Sequence, residues 1–197
     1  MGKIFYIMGK SASGKDKIYS ELLQNEKLGL KELVLYTTRP IRHGEEDGKQ
    51  YYFVDDKRLN QLRNEGKIIE ERAYQTVHGI WTYFTADEGQ IALEQANYIG
   101  IGTLESYGKM RQYFGPEKIV PVYVEVEDGI RLERALIREK KQEQPKYKEM
   151  CRRFLADCED FSEENIAAEK IERRFFNNGA FEDCLKEVEE FIQSMVY

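Results

Sequence analysis

The chain has 197 residues, of which 41% are hydrophobic and 34% are charged, and its formal net charge is −6. This length fits one compact domain that buries a core without disulfide or metal support. The longest apolar runs have about five residues, whereas a bilayer span needs roughly 20, and the N-terminus has no apolar h-region. Neither a membrane partner nor a signal peptide is therefore expected.

The charge balance limits the classes of partner to expect, and the cysteines indicate the cellular compartment. An excess of 36 acidic over 30 basic residues argues against nucleic acid as a partner. Basic residues nevertheless cluster in two places, which suits small anionic ligands: Arg39, Arg42 and Lys49, and Arg131, Arg134 and Arg138. Three cysteines without C-x-x-C spacing predict a cytoplasmic protein without a disulfide scaffold. The sequence leaves a monomer and a homodimer open.

The first third of the chain begins with a strand, a glycine-rich turn and a helix. Residues 3–8 form a mostly apolar run of strand length, and IYSELL follows the turn at helical spacing. The segment LVLY, residues 33–36, predicts a second buried strand. Residues 39–50 have no periodicity and predict a loop, and residues 51–54 predict a short strand.

The middle of the chain predicts an antiparallel insertion. Residues 55–66 predict a polar helix capped by aspartate and ended by glycine. KIIEERAYQ and GIWTYFT are separated by TVH and predict a pair of antiparallel strands. A helix is expected to begin at Asp87.

The remaining elements predict an α/β fold. They are a strand at 97–102, a helix capped by Thr103, a strand at 118–126, helices over 128–170 broken near Pro145, a strand at 173–178 and a closing amphipathic helix. Strands alternating with helices predict a mostly parallel sheet with helices on both faces. The antiparallel stretch between about 51 and 85 predicts an inserted lobe.

A phosphate-binding loop follows the first strand. The pattern G-x-x-x-x-G-K-D covers eight residues: Gly9, Lys10, Ser11, Ala12, Ser13, Gly14, Lys15 and Asp16. Such a loop turns backbone N–H groups and a helix N-terminus toward phosphates, and its lysine reaches the β and γ phosphates. The context of a strand before and a helix after is the one that the motif requires, so ATP is the expected ligand.

Asp16 stands where this motif usually has serine or threonine, whose hydroxyl binds Mg²⁺. A carboxylate is also a hard oxygen ligand, so Asp16 is the predicted metal ligand for Mg²⁺. Unlike a hydroxyl, this carboxylate adds negative charge near the nucleotide phosphates.

Residues 37–54, TTRPIRHGEEDGKQYYFV, resemble the guanylate kinase family, whose pattern is T-T-R-x-x-R-x-G-E-x-x-G-x-x-Y-x-F. The resemblance extends to FFNN near the C-terminus and covers essentially the whole chain. It implies an α/β P-loop fold in one domain with three parts. The core would comprise 1–34, 98–137 and 156–197, a nucleoside monophosphate-binding lobe 35–97, and a helical lid 138–155.

The resemblance implies phosphorylation of GMP or dGMP by ATP and Mg²⁺. Arg39 and Arg42 could clamp the acceptor phosphate with forked donors, and Tyr51 and Tyr83 could donate hydroxyls to it. By resemblance, Glu71 would accept hydrogen bonds from guanine, although the neighbouring Glu70 leaves the register open. Thr85 matches a residue that contacts the base.

The helical segment after residue 128 carries the arginines of the implied lid. The family places arginines on both sides of a break like that at Pro145, where they reach the transferred phosphate. Arg138 and Arg153 are assigned this role, with Arg152 as a competitor for the second position. Surface salt bridges with the many glutamates are the structural alternative.

Two departures from the family leave the acceptor base open. The family's L-D-x-D strand is here Ile99-Gly100-Ile101-Gly102, without either carboxylate, and Leu35 replaces a small hydroxyl residue that contacts guanine. A kinase for another nucleoside monophosphate and a catalytically silent guanylate-kinase-like binding module are the alternatives. The retained Gly9, Gly14 and Lys15 favour an enzyme.

Overall fold

The computed structural model describes residues 2–76 and 79–196. The strands of this part are β1 Ile4–Met8, β2 Leu30–Glu32, β3 Tyr36–Thr37, β4 Tyr52–Phe53, β5 Ile68–Thr76, β6 Gly79–Ala86, β7 Asn97–Gly102, β8 Ile119–Glu125 and β9 Arg174–Phe176. The helices are α1 Lys15–Gln24, α2 Asp56–Asn64, α3 Leu104–Phe114, α4 Asp128–Lys140, α5 Tyr147–Asp160, α6 Glu163–Ala168 and α7 Phe181–Val196. Among these helices, none is long and apolar enough to cross a membrane.

The main sheet has the strand order β2-β7-β1-β8-β9, and its paired strands are parallel. Because side chains alternate along a strand, central β1 contributes to a core on each face. Ile4, Tyr6 and Met8 pack toward α3, whereas Phe5 and Ile7 pack toward α1 and α7. The predicted α/β fold, a parallel sheet with helices on both faces, is confirmed.

A second sheet has the order β4-β3-β6-β5. The predicted antiparallel pairing of KIIEERAYQ with GIWTYFT is confirmed as β5 with β6, while Val77 and His78 of the intervening TVH lie outside the described residues. One face of this sheet packs Tyr36 and Phe84 against Leu59 and Leu62 of α2. The opposite face is turned toward the loop between β1 and α1.

The strand predicted at 33–36 is wrong in its bounds. The chain pairs with the main sheet over β2 and then enters the second sheet at β3, so the apolar run bridges two sheets. Leu33 still donates its N–H to the carbonyl of Ile99 at 2.9 Å before the chain leaves.

The helix predicted from Asp87 is also wrong, because Asp87 Oδ1 accepts the N–H of Gly89 at 2.8 Å in a local turn. Gly89 adopts a φ of 89°, which a continuing right-handed helix cannot contain. The predicted Thr103 cap is confirmed. Thr103 Oγ1 accepts the N–H of Ser106 at 3.2 Å, and Ser106 Oγ accepts the N–H of Thr103 at 2.9 Å.

Candidate nucleotide-binding site

The glycine-rich loop joins the carboxyl end of β1 to the amino end of α1. Gly14 occupies the N-cap with a φ of 89°, and in the described part of the chain no side chain caps this helix. The amino end of α1 therefore has N–H groups and a positive dipole to offer an anion. Lys15 and Asp16 open the helix, with Lys15 Nζ 3.6 Å from Asp16 Oδ2.

Asn177, directly after β9, braces this loop from behind. Its Nδ2 donates to the carbonyl of Ser13 at 2.8 Å. A Cβ at Gly14 would lie 2.5 Å from the same nitrogen, so this position excludes a side chain as well as requiring a left-handed φ. Asn177 is part of FFNN, but its contact with a loop 164 residues away could not be predicted locally.

Arg39 is buried and held in place by Glu45. Two hydrogen bonds join their side chains, Nη1 to Oε2 at 3.0 Å and Nη2 to Oε1 at 2.8 Å. The guanidinium also lies 5.5 Å from the ring of Tyr51. The hydrogen bonds from Arg39 hold the pKa of Glu45 below its usual value. Glu45 is a candidate site residue that the sequence analysis missed, although it is the first glutamate of the GEE segment.

Arg42 lies on the same loop, and its side chain is exposed. Its backbone N–H donates to Glu45 Oε2 at 2.7 Å, which ties both predicted phosphate-binding arginines to one carboxylate.

A cleft of about 390 Å³ separates the glycine-rich loop from the second sheet. It brings together four of the predicted site residues: Lys15, Asp16, Tyr51 and Tyr83. Tyr51 and Tyr83 pack edge to face, with ring centroids 5.6 Å apart. The remaining lining comes from Leu35, Arg72, Tyr74, Ile101, Gly102 and Thr103. Among the described residues, the lining includes neither Arg39 nor Arg42.

Glu71 does not face this cleft. It pairs with Phe84 across the strands, on the face packed against α2, and its Oε2 accepts from Arg63 Nε at 2.9 Å. A register shift between Ile68 and Glu70 sets which of the two glutamates lies on the other face. Glu71 was predicted to lie beside the acceptor base, but the structure places its side chain next to Arg63 and outside the lining of this cleft.

Glu70 lies opposite Thr85 instead. Thr85 Oγ1 donates to Glu70 Oε1 at 2.8 Å, and Arg72 Nε donates to Glu70 Oε2 at 3.1 Å. Burial lowers the pKa of Arg72, but the charge of Glu70 and the phenols of Tyr6 and Tyr74 more than offset it. Arg72 is a further residue missed as a site candidate, whereas Glu70 was considered only as the alternative to Glu71.

Tyr6 occupies the space beside the two glycines of β7. A Cβ at Gly100 would lie 3.0 Å from the Tyr6 ring, and one at Gly102 would clash with the Tyr6 hydroxyl and lie 2.6 Å from Ser106 Oγ. The Tyr6 hydroxyl and Ser106 Oγ are themselves hydrogen-bonded at 2.8 Å. The Tyr6 side chain thus fills the space that side chains at positions 100 and 102 would need.

Gly102→Ala is expected to lower the free energy of unfolding by about 1–3 kcal/mol, because the added methyl overpacks this site. Urea unfolding of the purified variants measures the change. Gly129→Ala is the control, since its added Cβ would meet no described atom within 4 Å apart from its chain neighbours and the adjacent backbone of α4. Tyr6→Phe in the Gly102→Ala background should recover part of the loss, and equal stability of both alanine variants would contradict the explanation.

The predicted lid arginines meet at a second cavity of about 220 Å³ between α4 and α5. Arg138 and Arg153 both line it, together with Ser11 of the glycine-rich loop. Glu149 accepts from Arg153 Nε at 2.9 Å and from Arg152 Nε at 2.8 Å, and these hydrogen bonds lower its pKa to about 2. Among the described residues, the cavity lining includes Arg153 and not Arg152.

Arg131 connects α4 and α5 to the glycine-rich loop. Its side chain is 1% exposed and forms ion pairs with Asp128 at 2.9 Å and Asp157 at 3.2 Å. Asp157 Oδ2 also accepts the backbone N–H of Ser11 at 2.7 Å. The sequence analysis noted Arg131 only as part of a basic cluster and missed Asp157, because their link depends on the packing of α4 against α5.

A parallel α/β sheet with a glycine-rich loop between β1 and α1 defines the class of P-loop proteins. Residues 1–83 match the protein-family model described as Guanylate kinase. The resemblance to the guanylate kinase family is thereby confirmed, on the amino-terminal part of the chain. This matched part contains the glycine-rich loop and the TTRPIR segment.

Curated relatives show the same distribution of similarity. The guanylate kinase of Neisseria gonorrhoeae is 39% identical over 97 residues, which cover 49% of this chain and 45% of that protein. That of Anaplasma phagocytophilum is 39% identical over 70 residues, covering 36% of this chain and 33% of that protein. The matches thus span less than half the length of these relatives.

The crystal structure of guanylate kinase from Anaplasma phagocytophilum resembles this fold with a TM-score of 0.66 at 18% identity. The superposition covers 98% of this chain and 86% of that one. At this identity the likeness concerns the fold, and it extends beyond the part matched in sequence.

Proposed function

We propose that the protein transfers a phosphoryl group from ATP to GMP or dGMP, giving GDP or dGDP. The observation that carries this proposal is the single cleft that has Lys15 and Asp16 on one wall and Tyr51 and Tyr83 on the other. A phosphate-binding loop and an acceptor-binding segment must face each other for direct transfer. Both come from the part of the chain that matches the guanylate kinase family.

The proposed division of the chain has a core at 1–34, 98–137 and 156–197, an acceptor-binding lobe at 35–97 and a lid at 138–155. The second sheet, formed within residues 36–86, supports the separate acceptor lobe. The cavity lined by Arg138 and Arg153 beside Ser11 supports the assignment of the lid.

Phosphoryl transfer depends on positioning and on positive charge more than on covalent catalysis. The loop from Gly9 to Gly14 and Lys15 would hold the phosphates of ATP. On the acceptor side, Arg39, Arg42, Tyr51 and Tyr83 would bind the acceptor phosphate, with Glu45 orienting the two arginines. Arg138 and Arg153 would approach the transferred group from the lid.

The residues present fit ATP with Mg²⁺. The buried Ser13 Oγ has no hydrogen-bond partner within the described residues, and the amino end of α1 lacks a side-chain cap there. Asp16, whose side chain is 84% exposed, offers a carboxylate beside Lys15. Mg²⁺ is commonly held by one or two carboxylates together with substrate phosphates, and it neutralises phosphate charge when bound.

The test is a screen for ADP release with ATP and each of GMP, dGMP, AMP, CMP and UMP, with and without Mg²⁺. We expect Mg²⁺-dependent turnover that is fastest with a guanine nucleotide. Faster turnover of AMP, CMP or UMP than of both guanine nucleotides would refute the specificity and leave a kinase for another acceptor, an alternative favoured by Leu35 on the cleft wall.

A catalytically silent binding module is the second candidate. The glycines at 100 and 102 favour it, because they leave β7 without the two carboxylates of the family's strand. ATP binding by calorimetry without turnover of any acceptor would establish this candidate. Turnover with any of the five nucleotides would exclude it.

We also propose a reducing, cytoplasmic environment for this activity. Cys151, Cys158 and Cys184 are free thiols, and burial raises the pKa of Cys184 to about 11, which keeps it protonated and unreactive. The protein is proposed to be a monomer or a homodimer, and sedimentation of the purified protein distinguishes the two.

A further inference from the structure

We infer that Arg72 reads the base of the acceptor, by donating hydrogen bonds to the O6 and N7 edge of guanine. This inference rests on the proposed function and concerns how the same cleft selects its substrate. It assigns recognition to a guanidinium where the resemblance implied a carboxylate.

The position of Arg72 suits a contact with the acceptor. It lies on β5 directly across from Tyr83 of β6, and both side chains line the cleft. Its side chain is 18% exposed, so it is mostly enclosed but reachable. The pairing with Tyr83 places it at the same level of the cleft as a proposed acceptor-binding hydroxyl.

Glu70 fixes the orientation of Arg72. The bond from Arg72 Nε to Glu70 Oε2 uses one edge of the guanidinium. Within residues 2–76 and 79–196, the two terminal nitrogens of Arg72 donate no hydrogen bond, so their N–H groups are available to a ligand. A planar donor fork held by a carboxylate behind it is preorganised for two adjacent acceptors.

Glu70 itself is not presented to the cleft. It is 2% exposed, it already accepts from both Thr85 and Arg72, and it is absent from the described lining residues. The Thr85 hydroxyl donates to Glu70, and Leu35 on the cleft wall has no donor. Of Glu70, Thr85, Leu35 and Arg72, only Arg72 therefore offers unpaired polar groups to a base that enters the cleft.

The chemistry of the purine edge then sets the specificity. Guanine and hypoxanthine present two acceptors, O6 and N7, and an arginine fork binds both at once. Adenine presents N7 beside a 6-amino group. That amino group is a hydrogen-bond donor, so the guanidinium N–H that faces it would be buried without an acceptor. A carboxylate would need the 2-amino group of guanine as a hydrogen-bond donor. Arg72, which binds the O6 and N7 edge, makes no contact with it.

Acceptor analogues distinguish the two modes in the unmodified protein. Because IMP shares O6 and N7 with GMP and lacks only the 2-amino group, we expect its kcat/KM to lie within about threefold of that for GMP. The value for AMP should be lower by a factor of about 100, since one bidentate contact is replaced by a mismatch. An IMP value more than about 30-fold below that of GMP would show carboxylate reading and overturn the inference.

Variants of Arg72 test the residue directly. Arg72→Ala should raise the KM for GMP by a factor of about 10–100 and reduce the discrimination against AMP. The matched control is Arg63→Ala, which removes an arginine paired with the neighbouring Glu71 on the opposite face of the sheet and should leave acceptor kinetics unchanged. In the double variant Glu70→Gln, Arg72→Ala, the buried charge is removed with its partner. Recovery of a normal KM there would reduce Arg72 to a structural counter-ion and overturn the inference.

Binding of GMP and AMP to the full chain, measured by calorimetry without ATP, separates this inference from the proposed function. Preferential binding of GMP that is lost in Arg72→Ala supports the inference even where no phosphoryl transfer occurs, an outcome that refutes only the proposed activity. Normal transfer to GMP with unchanged affinity in Arg72→Ala refutes only the inference.

Discussion

Replacing Lys15 by alanine is expected to lower kcat for phosphoryl transfer by a factor of about 100 or more. Lys15 begins α1 on the wall of the cleft, where its ammonium group would neutralise charge on the transferred phosphate. In an enclosed site such a contact contributes several kcal/mol to stabilisation of the transition state. Steady-state ADP release with saturating ATP and GMP measures the loss.

The control for this change is Lys17→Ala, two residues along the same helix. Lys17 Nζ lies 3.8 Å from the centroid of the Phe181 ring, where α7 packs. Its removal should leave kcat unchanged, and circular dichroism should show both variants folded. Near-normal turnover in Lys15→Ala would refute the assignment of the phosphate-binding loop.

Local sequence was sufficient for the glycine-rich loop and for most of the strands. The loop depends on φ angles that glycine allows and on a neighbouring strand and helix, all within residues 4–24. The antiparallel pair β5 and β6 was predictable because each strand is long, rich in β-branched and aromatic residues, and close to its partner along the chain.

The face presented by a strand was not predictable where the register shifts. One irregularity near Ile68 exchanges the roles of Glu70 and Glu71, since successive side chains point to opposite faces. Both glutamates are compatible with the residue pattern. Only the observed pairing with Thr85 and Phe84 distinguishes them.

Contacts between segments that are far apart in the sequence were the other feature that could not be predicted. Tyr6 fills the space at Gly100 and Gly102 from a strand about 100 residues earlier, and Asn177 supports Ser13 across 164 residues. Such contacts leave no periodicity in the sequence, because each partner fits its own element equally well without the other.

Arg131 shows how much such a contact can contribute. Its guanidinium joins Asp128 of its own helix to Asp157 of α5, lies 3.9 Å from the centroid of the Phe154 ring, and approaches the carbonyl of Ser11 at 3.5 Å. One buried cation therefore links α4, α5 and the glycine-rich loop. A change in it is therefore expected to affect both stability and the position of the glycine-rich loop.

Arg131→Ala is accordingly expected to lower the free energy of unfolding by about 3 kcal/mol. Removing one partner of a buried ion pair typically costs about 3–5 kcal/mol, and the partial exposure of Asp128 places this site at the lower end. Urea unfolding provides the measurement. Arg134→Ala on the same helix is the control, because Arg134 forms no ion pair with a described residue, and its loss should cost less than about 1 kcal/mol. Equal stability of the two variants would show that the buried network contributes nothing beyond helix packing. A large loss confined to Arg131→Ala, accompanied by weaker ATP binding, would confirm that this residue couples α4 and α5 to the glycine-rich loop.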